Sequence, residues 1–215
     1  MKRHDLTFLS PRGWQTILAM RGDLAAEPLV ASWVDNGWPL VARRPLPCEA
    51  QGVALGLPLP PFAGRRRLSF LLPPEEVVAV RSPLSLNACR TAAPRSWGPT
   101  LDRLHVLAEQ HAIEARVFGS LAWAALTGLD YLADRSDVDL LLPLQPHTDL
   151  FSLADGMAAI DATAPMRLDG EFVRADGVAV NWREVREGSP QILVKSMTGV
   201  GLLDMAHFLD GRTPP

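Results

Sequence analysis

Two acidic residues embedded in an aliphatic run constrain the fold more than any other feature of this chain. Asp137 and Asp139 flank Val138, and the leucines of 140–142 follow directly before Pro143. Residues separated by one position on a β-strand point to the same face, so both carboxylates would project together. An acidic cap on a surface turn is the alternative, but such caps rarely lead straight into buried aliphatic residues. The pattern favours a short buried strand that carries paired carboxylates.

A glycine and a serine lie upstream, where a predicted strand meets a helix. Residues 115–118 are typical of a short strand, Gly119 and Ser120 begin the next helix, and Gly128 is predicted to end it. Gly119 lets the backbone approach a bound phosphate closely. Ser120 and the first helix amides can donate hydrogen bonds to phosphate oxygens, where the helix also supplies partial positive charge. The combination indicates a phosphate-binding turn beside the acidic strand.

Paired carboxylates on one strand face repel each other unless cations neutralise them. Mg²⁺ prefers hard oxygen ligands and is commonly held by one or two carboxylates together with substrate phosphates. Two such ions, roughly 3.5–4 Å apart, can hold the attacking and leaving oxygens of an in-line displacement. We therefore predict that Asp137 and Asp139 are metal ligands and that they bind Mg²⁺, as two ions.

The charge changes sign along the chain near a predicted linker. Residues 1–100 contain twelve Lys and Arg against seven Asp and Glu, whereas residues 101–215 contain nine against seventeen. Residues 92–99 include two prolines and a glycine, which is typical of a linker. We predict an α+β protein in which a small mixed N-terminal domain, residues 1–93, precedes a catalytic domain with a short mixed sheet, residues 98–215.

Composition also narrows the function classes. The acidity of the second half argues against nucleic acid as a partner. The most apolar central stretch is interrupted by Arg116 and Asp130, and the N-terminal residues contain no apolar run long enough for a signal peptide, so we expect no membrane span and a cytoplasmic location. Cys48 and Cys89 are far apart and lack metal-ligand spacing, so we expect them to be small apolar residues of the interior.

Local signals place several other elements. Ser10 and Pro11 predict a helix start, and that helix should run to about Met20. An Asp-Gly pair at 176–177 predicts a hairpin turn. The elements predicted around it are helices at 147–160 and 199–209 and strands at 166–174 and 177–183.

The acidic motif carries a resemblance to a known class of enzymes. Residues 118–120, followed by Ser136–Leu140, resemble the signature of the polymerase-β-like nucleotidyltransferases. A wider resemblance points to one family, the malonate decarboxylase holo-acyl-carrier-protein synthases, also called phosphoribosyl-dephospho-CoA transferases. The segments that carry it are Arg3–Leu6, Gly52–Pro58, Gly119–Gly128, Arg167–Glu171 and Val194–Ser196. The resemblance implies a polymerase-β-like fold for the catalytic domain.

The resemblance also implies a reaction. A serine hydroxyl on the acyl-carrier subunit of malonate decarboxylase attacks the α-phosphate of 2′-(5″-triphosphoribosyl)-3′-dephospho-CoA. Pyrophosphate leaves, and the carrier gains its prosthetic group through a phosphodiester. Catalysis would depend mostly on positioning and charge neutralisation. The N-terminal domain would then bind substrate or carrier.

The resemblance further implies a third catalytic acid on a neighbouring strand, where it can bind a metal or deprotonate the hydroxyl. Asp169 and Glu171 are the candidates, since they share one face of a predicted strand. Asp169 is preferred because Asp is the usual residue type in that role. Either acid could instead only flank the bend at Gly170, and a strand shifted by one residue would turn both away from the site.

Basic residues are candidates for contacts with the substrate. Lys195 follows an apolar run and could stabilise departing pyrophosphate as a point charge, or it could be a solvated lysine at a strand end. Arg65 and Arg66, with their basic neighbours, could bind the dephospho-CoA phosphates or an acidic carrier. They could equally be charges that protect a strand edge.

Two other functions remain open on the sequence alone. One is a nucleotidyltransferase that uses an ordinary nucleoside triphosphate to modify a protein or a small molecule. The other is a non-catalytic binding module that kept the fold, although the presence of Gly119, Ser120, Asp137 and Asp139 weighs against it.

Overall fold

The chain, seen in a computed structural model that describes residues 1–49 and 51–211, divides into two compact units. The first is Met1–Pro83, and the second begins at Leu84. This division lies ahead of the predicted linker. The predicted linker, residues 92–99, lies within the second unit. It includes the 3-10 helix Arg95–Trp97 and joins the 3-10 helix Asn87–Ala92 to an α-helix that begins at Gly98.

The first unit contains an antiparallel sheet with strand order β4-β3-β2-β1-β5. Its strands are β1 (Leu6–Leu9), β2 (Leu40–Ala42), β3 (Val53–Pro58), β4 (Arg67–Leu72) and β5 (Val77–Arg81). Its helices are α1 (Pro11–Met20), α2 (Gly22–Ala25), α3 (Pro28–Ala31) and 3-10 turns at Pro61–Ala63 and Pro74–Glu76. The start of α1 is confirmed as predicted: the Ser10 hydroxyl accepts a hydrogen bond from the Gly13 amide at 2.9 Å, and Pro11 is the first helical residue.

The second unit contains a mixed sheet with strand order β12-β11-β10-β9-β8-β7-β6. Its strands are β6 (Leu84–Ser85), β7 (Arg116–Phe118), β8 (Val138–Pro143), β9 (Leu168–Val173), β10 (Ala179–Asn181), β11 (Gln191–Lys195) and β12 (Val200–Asp204). Its helices are α4 (Gly98–Gln110), α5 (Gly119–Thr127), α6 (Leu150–Asp161), α7 (Trp182–Glu187) and α8 (Met205–Leu209). Each pairing is antiparallel except that of β8 with β9. The predicted α+β architecture with a mixed sheet is confirmed.

The parallel pairing follows from the crossover helix α6 between β8 and β9, because parallel neighbours need a long connection. Asp149 begins α6, and its Oδ1 accepts hydrogen bonds from the Phe151 and Ser152 amides at 3.1 and 3.0 Å. Leu153, Ala154 and Met157 on this helix are fully buried in the core. Gly170 of β9 faces that core, since a Cβ there would lie 3.3 Å from the Met157 methyl. The neighbours of Gly170 on the strand therefore face the opposite side of the sheet.

Two predicted elements are only partly correct. One strand is predicted to end too late, and one predicted helix is a strand in its first half. The predicted strand at 177–183 ends at Asn181, because the Asn181 side chain accepts a hydrogen bond from the Arg183 amide and begins α7. The predicted helix at 199–209 is a strand up to Asp204 and a helix only from Met205. The chain pairs along β11 over that first half, which satisfies its backbone hydrogen bonds without a helix.

None of the helices within residues 1–49 and 51–211 has the length and apolarity needed to span a bilayer.

The two cysteines differ in exposure, which predicts different reactivity. Cys89 is buried as predicted, and burial raises the pKa of its thiol to about 12. The prediction that Cys48 lies in the interior is wrong, because Cys48 is exposed. Because the thiolate is the reactive form, Cys89 should remain unmodified in the folded protein. We expect one thiol to react with iodoacetamide at pH 8, and both after denaturation, as counted by intact mass. The Cys48→Ser variant should then show no modification while folded; rapid labelling of Cys89 in that variant would contradict the burial.

Candidate active site

Three carboxylates meet at one end of β8 and β9. Asp139 lies directly opposite Asp169 in the parallel register, so the two side chains share one face of the sheet. Asp137 immediately precedes β8 and joins them. One carboxylate oxygen from each residue lies within 4.8 Å of those of the others, and all three side chains are partly exposed. The face predicted for Asp137 and Asp139 therefore holds an acid trio: Asp137, Asp139 and Asp169.

A tight turn sets the position of Asp137. The Ser136 hydroxyl accepts a hydrogen bond from the Ala133 amide at 2.9 Å, and the Ser136 amide donates to the Ala133 carbonyl at 2.9 Å. One residue after Asp137, the Val138 amide donates to the Arg167 carbonyl at 3.0 Å and begins the pairing with β9. The backbone is thus fixed on both sides of this acid.

Gly119 packs against the trio so closely that any side chain at this position would displace the Asp139 carboxylate. A Cβ built at Gly119 would lie 1.8 Å from Asp139 Oδ2, and φ at Gly119 is 67°. Phe118 pairs with Asp139 in the antiparallel register of β7 and β8, which explains the approach. The glycine predicted to approach a phosphate therefore also leaves room for the Asp139 carboxylate.

The helix α5 begins at this glycine without a side-chain cap. The first amides of a helix lack intrahelical partners and carry partial positive charge, which makes such a start suitable for an anion. Ser120 is the second residue of α5 and is partly buried. The first amides of α5, which suit an anion, thus lie next to the acid trio, and Gly119 belongs to both places.

The donor set of the trio suits a hard divalent cation. Each pair of like charges about 4 Å apart costs about 1 kcal/mol in water and about 4 kcal/mol at a partly buried surface. Three carboxylate oxygens within 4.8 Å of one another match the ligands of Mg²⁺, which retains water and accepts further phosphate oxygens. Asp137, Asp139 and Asp169 therefore fit a divalent metal ion.

The two candidates for the third acid have different surroundings. Asp169 converges with the acidic pair. Glu171 shares that strand face but is buried, and it accepts a hydrogen bond from Lys195 Nζ at 2.8 Å. Lys195, on β11, therefore forms an ion pair with Glu171 on β9, and β10 lies between these two strands in the sheet.

One residue that contacts the trio was missed in the sequence. Asn181 Nδ2 donates to Asp169 Oδ1 at 2.8 Å, while Asn181 Oδ1 accepts from the Arg183 amide at 3.0 Å. A usable signal was present, because Asn is a poor strand residue and a good helix N-cap, and Glu184 follows three positions later. Reading that signal would also have ended the predicted strand at the correct residue.

The backbone next to Asp169 is held by side chains in place of a strand. Pairing of β9 with β10 ends at Glu171, so among the described residues no strand pairs with Leu168 on that side. Its amide donates to Asp161 Oδ1 at 2.9 Å, and its carbonyl accepts from Arg183 Nη1 at 2.8 Å. Arg183 Nη2 also donates to Asp161 Oδ2 at 2.7 Å. This closed set of hydrogen bonds fixes the start of β9.

The predicted basic residues of the first unit lie near its β3–β4 connection. Arg65 is exposed, with φ at 52°. Arg66 forms an exposed ion pair with Glu27, and that hydrogen bond raises the pKa of the Arg66 guanidinium. Exposed pairs of this kind contribute little to stability and exchange readily with other anions.

Comparison with known proteins gives the family. A family model described as the phosphoribosyl-dephospho-CoA transferase MdcG C-terminal domain matches residues 84–206, and the model of the corresponding N-terminal domain matches residues 2–83. The phosphoribosyl-dephospho-CoA transferase of Bradyrhizobium diazoefficiens is 54% identical over 98% of this chain and 93% of its own length. That of Xanthomonas euvesicatoria is 36% identical over 98% of both chains. No solved structure matches the chain.

These matches first define the class, which is a transferase built from two family domains that meet at residues 83 and 84. The chain belongs to the phosphoribosyl-dephospho-CoA transferase family.

Proposed function

We propose that this protein transfers the phosphoribosyl-dephospho-CoA group from 2′-(5″-triphosphoribosyl)-3′-dephospho-CoA to a serine of the malonate decarboxylase acyl-carrier subunit, with release of pyrophosphate. The observation that carries the proposal is the convergence of Asp137, Asp139 and Asp169 beside the uncapped start of α5. The names of the relatives support the transferred group. The acid trio supports a triphosphate as the donor, because clustered carboxylates and phosphates are joined through divalent cations.

In this proposal each part of the site has a task in one displacement step. The carrier serine oxygen forms a bond to the α-phosphorus, the bond from that phosphorus to pyrophosphate breaks, and the serine proton passes to a carboxylate. Asp169 is the proposed acceptor of that proton. The amides of α5 and the Ser120 hydroxyl donate to phosphate oxygens and hold the triphosphate in line.

Asp137 and Asp139 are the proposed ligands of the metal, for which we propose two Mg²⁺ ions. When bound, these ions would neutralise the charge of the triphosphate and of the departing pyrophosphate. We also propose that the second unit belongs to the polymerase-β-like superfamily. The order of α5, which begins at Gly119, and the acidic strand β8 supports this membership.

The basic residues extend the proposal to the rest of the substrate. Lys195 can exchange its contact with Glu171 for a phosphate oxygen, since its side chain is 36% exposed. Arg65 and Arg66 are proposed to bind the dephospho-CoA phosphates or the acidic carrier, as part of an N-terminal domain that binds substrate or carrier. These two arginines are exposed, as steering residues must be.

The direct test is a transfer assay with purified carrier subunit, read by intact mass. Addition of the phosphoribosyl-dephospho-CoA group to the carrier serine, dependent on Mg²⁺, is the expected result. A Ser→Ala carrier serves as the control. Addition of a nucleotide alone from an ordinary nucleoside triphosphate would favour a different nucleotidyltransferase, and no addition of either kind would favour a binding module.

Ligand binding should also be visible in the stability of the protein. We expect Mg²⁺ with a non-hydrolysable triphosphate at about 100 times its Kd to add about 2.7 kcal/mol to the free energy of unfolding. At about 2–4 °C per kcal/mol for a chain of this size, the melting temperature should rise by roughly 5–11 °C. The measurement is thermal unfolding followed by circular dichroism.

The control for this shift is the Asp137→Asn, Asp139→Asn double variant, which should show little or no rise. An equal rise in wild type and double variant would place the triphosphate elsewhere on the protein.

A further inference from the structure

We infer that Asn181 is a positioning residue that fixes the orientation of the Asp169 carboxylate. Asn181 touches no reacting atom in the proposed step; it acts through Asp169. The inference rests on the proposed function, in which Asp169 is a catalytic residue.

The hydrogen bonds of Asn181 determine which way its amide points. Its Oδ1 accepts from the Arg183 amide at 3.0 Å, a contact that only an oxygen can make. Its Nδ2 must therefore face Asp169, where it donates to Oδ1 at 2.8 Å. The start of α7 thus selects the orientation of Asn181, and Asn181 in turn holds one oxygen of Asp169.

Each carboxylate oxygen has two lone pairs, so the hydrogen bond to Oδ1 fixes the plane of the Asp169 carboxylate without closing either oxygen to further contacts. Oδ2 keeps both of its lone pairs for a cation or for the proton of the attacking hydroxyl. Metal-binding and catalytic carboxylates are commonly oriented by such outer contacts, whose loss typically lowers metal affinity or activity by about 10–100-fold.

The surroundings of Asn181 are rigid enough to transmit this orientation. Asn181 pairs with Glu171 at the last register position between β10 and β9. Arg183, two residues later, donates to the Leu168 carbonyl beside Asp169 and to Asp161. Its guanidinium also lies 4.2 Å from the centre of the Trp182 ring. The residue that orients the acid is therefore held by both the sheet and α7.

Three substitutions separate helix capping from carboxylate orientation. Asn181→Ser keeps an oxygen cap for α7 but has no donor that can also reach Asp169. Asn181→Asp keeps the length and the cap while replacing the donor with a charged acceptor. Asn181→Ala loses both functions. Ser and Asn are about equally good N-caps, so Asn181→Ser should keep the melting temperature, whereas Asn181→Ala should lower it by about 2–4 °C. Asn181→Asp should lower it as well, because its carboxylate would face that of Asp169.

The experiment measures kcat and KM for transfer, and Mn²⁺ affinity by electron paramagnetic resonance with a non-hydrolysable triphosphate. We expect all three variants to lose about 10–100-fold in kcat or in Mn²⁺ affinity, while KM for the donor substrate stays within about twofold of wild type. A residue that only caps α7 would leave Asn181→Ser and Asn181→Asp at wild-type levels in both readouts, and that result overturns the inference.

The Mn²⁺ measurement keeps this test separate from the proposed reaction. If wild-type protein binds Mn²⁺ but transfers nothing to the carrier, the proposed function is wrong. The inference is then decided by the Mn²⁺ affinities of Asn181→Ser and Asn181→Asp. If wild-type protein binds no Mn²⁺ and shows no transfer, both the metal site and the positioning role are wrong.

Discussion

The Asp139→Asn variant should lose transferase activity by about 10³-fold or more while it keeps its fold. Asp139 is the central member of the acid trio, opposite Asp169 in the sheet and against Gly119. Asp139 is a metal ligand in the proposed mechanism, and loss of such a ligand removes charge stabilisation worth several kcal/mol in the transition state, where each 1.36 kcal/mol is a factor of ten in rate. The measurement is kcat/KM for carrier modification at saturating Mg²⁺.

The stability of this variant distinguishes lost chemistry from lost structure. Replacing one of three neighbouring carboxylates by a neutral amide removes repulsion in the metal-free protein. The melting temperature without metal should therefore be unchanged or higher, and the stabilisation by Mg²⁺ with triphosphate should disappear.

Asp134→Asn is the matched control for Asp139→Asn. Asp134 is exposed in the turn that precedes Asp137, so its variant removes the same charge a short distance from the trio. It should keep activity and the response to Mg²⁺. Full turnover by Asp139→Asn would refute the metal site, and an equal loss in the Asp134→Asn control would point to net charge as the cause.

The Gly119→Ala variant should be as inactive as Asp139→Asn although it removes no functional group. The added methyl group would lie 1.8 Å from Asp139 Oδ2, so the carboxylate must move out of the trio. The positive φ of 67° adds backbone strain for an L-residue, roughly 1–3 kcal/mol. We expect transfer to fall by about 10³-fold, since the ligand is displaced, and the melting temperature to fall as well.

Gly128→Ala supplies a control for the strain alone. Gly128 ends the same helix α5 with φ at 71°, yet a Cβ there would meet nothing within 4 Å. It should lose a similar amount of stability and keep its activity. If Gly128→Ala loses activity in parallel with Gly119→Ala, the effect comes from α5 as a whole, and the close approach to Asp139 is not the cause.

Local sequence patterns predicted the part of the site that depends on neighbouring residues. The strand β8 and the helix α5 lie where alternation and the glycine boundaries indicated, with Gly128 in a left-handed conformation at the helix end. The carboxylates of Asp137 and Asp139 do converge next to Gly119. Alternation and glycine are informative here because a strand face and a positive φ are properties of a few consecutive residues.

The part that depends on distant residues was not readable from local pattern. The parallel register of Asp139 with Asp169 depends on how α6 packs, which no short window of sequence contains. Asp169 entered the prediction only through family resemblance. Asn181 was missed because it is both the last residue of β10 and the N-cap of α7, so a local pattern did not separate its strand role from its helix role.

The crossover between β8 and β9 has a consequence for when this protein can acquire activity during its synthesis. Gly119, Asp137 and Asp139 are all translated before Asp169, which follows Asp139 thirty positions later in the chain. While only the strands up to β8 have emerged from the ribosome, the nascent chain therefore carries Asp137 and Asp139 without Asp169. The acid trio can therefore assemble only after α6 and β9 have left the ribosome and folded against β8.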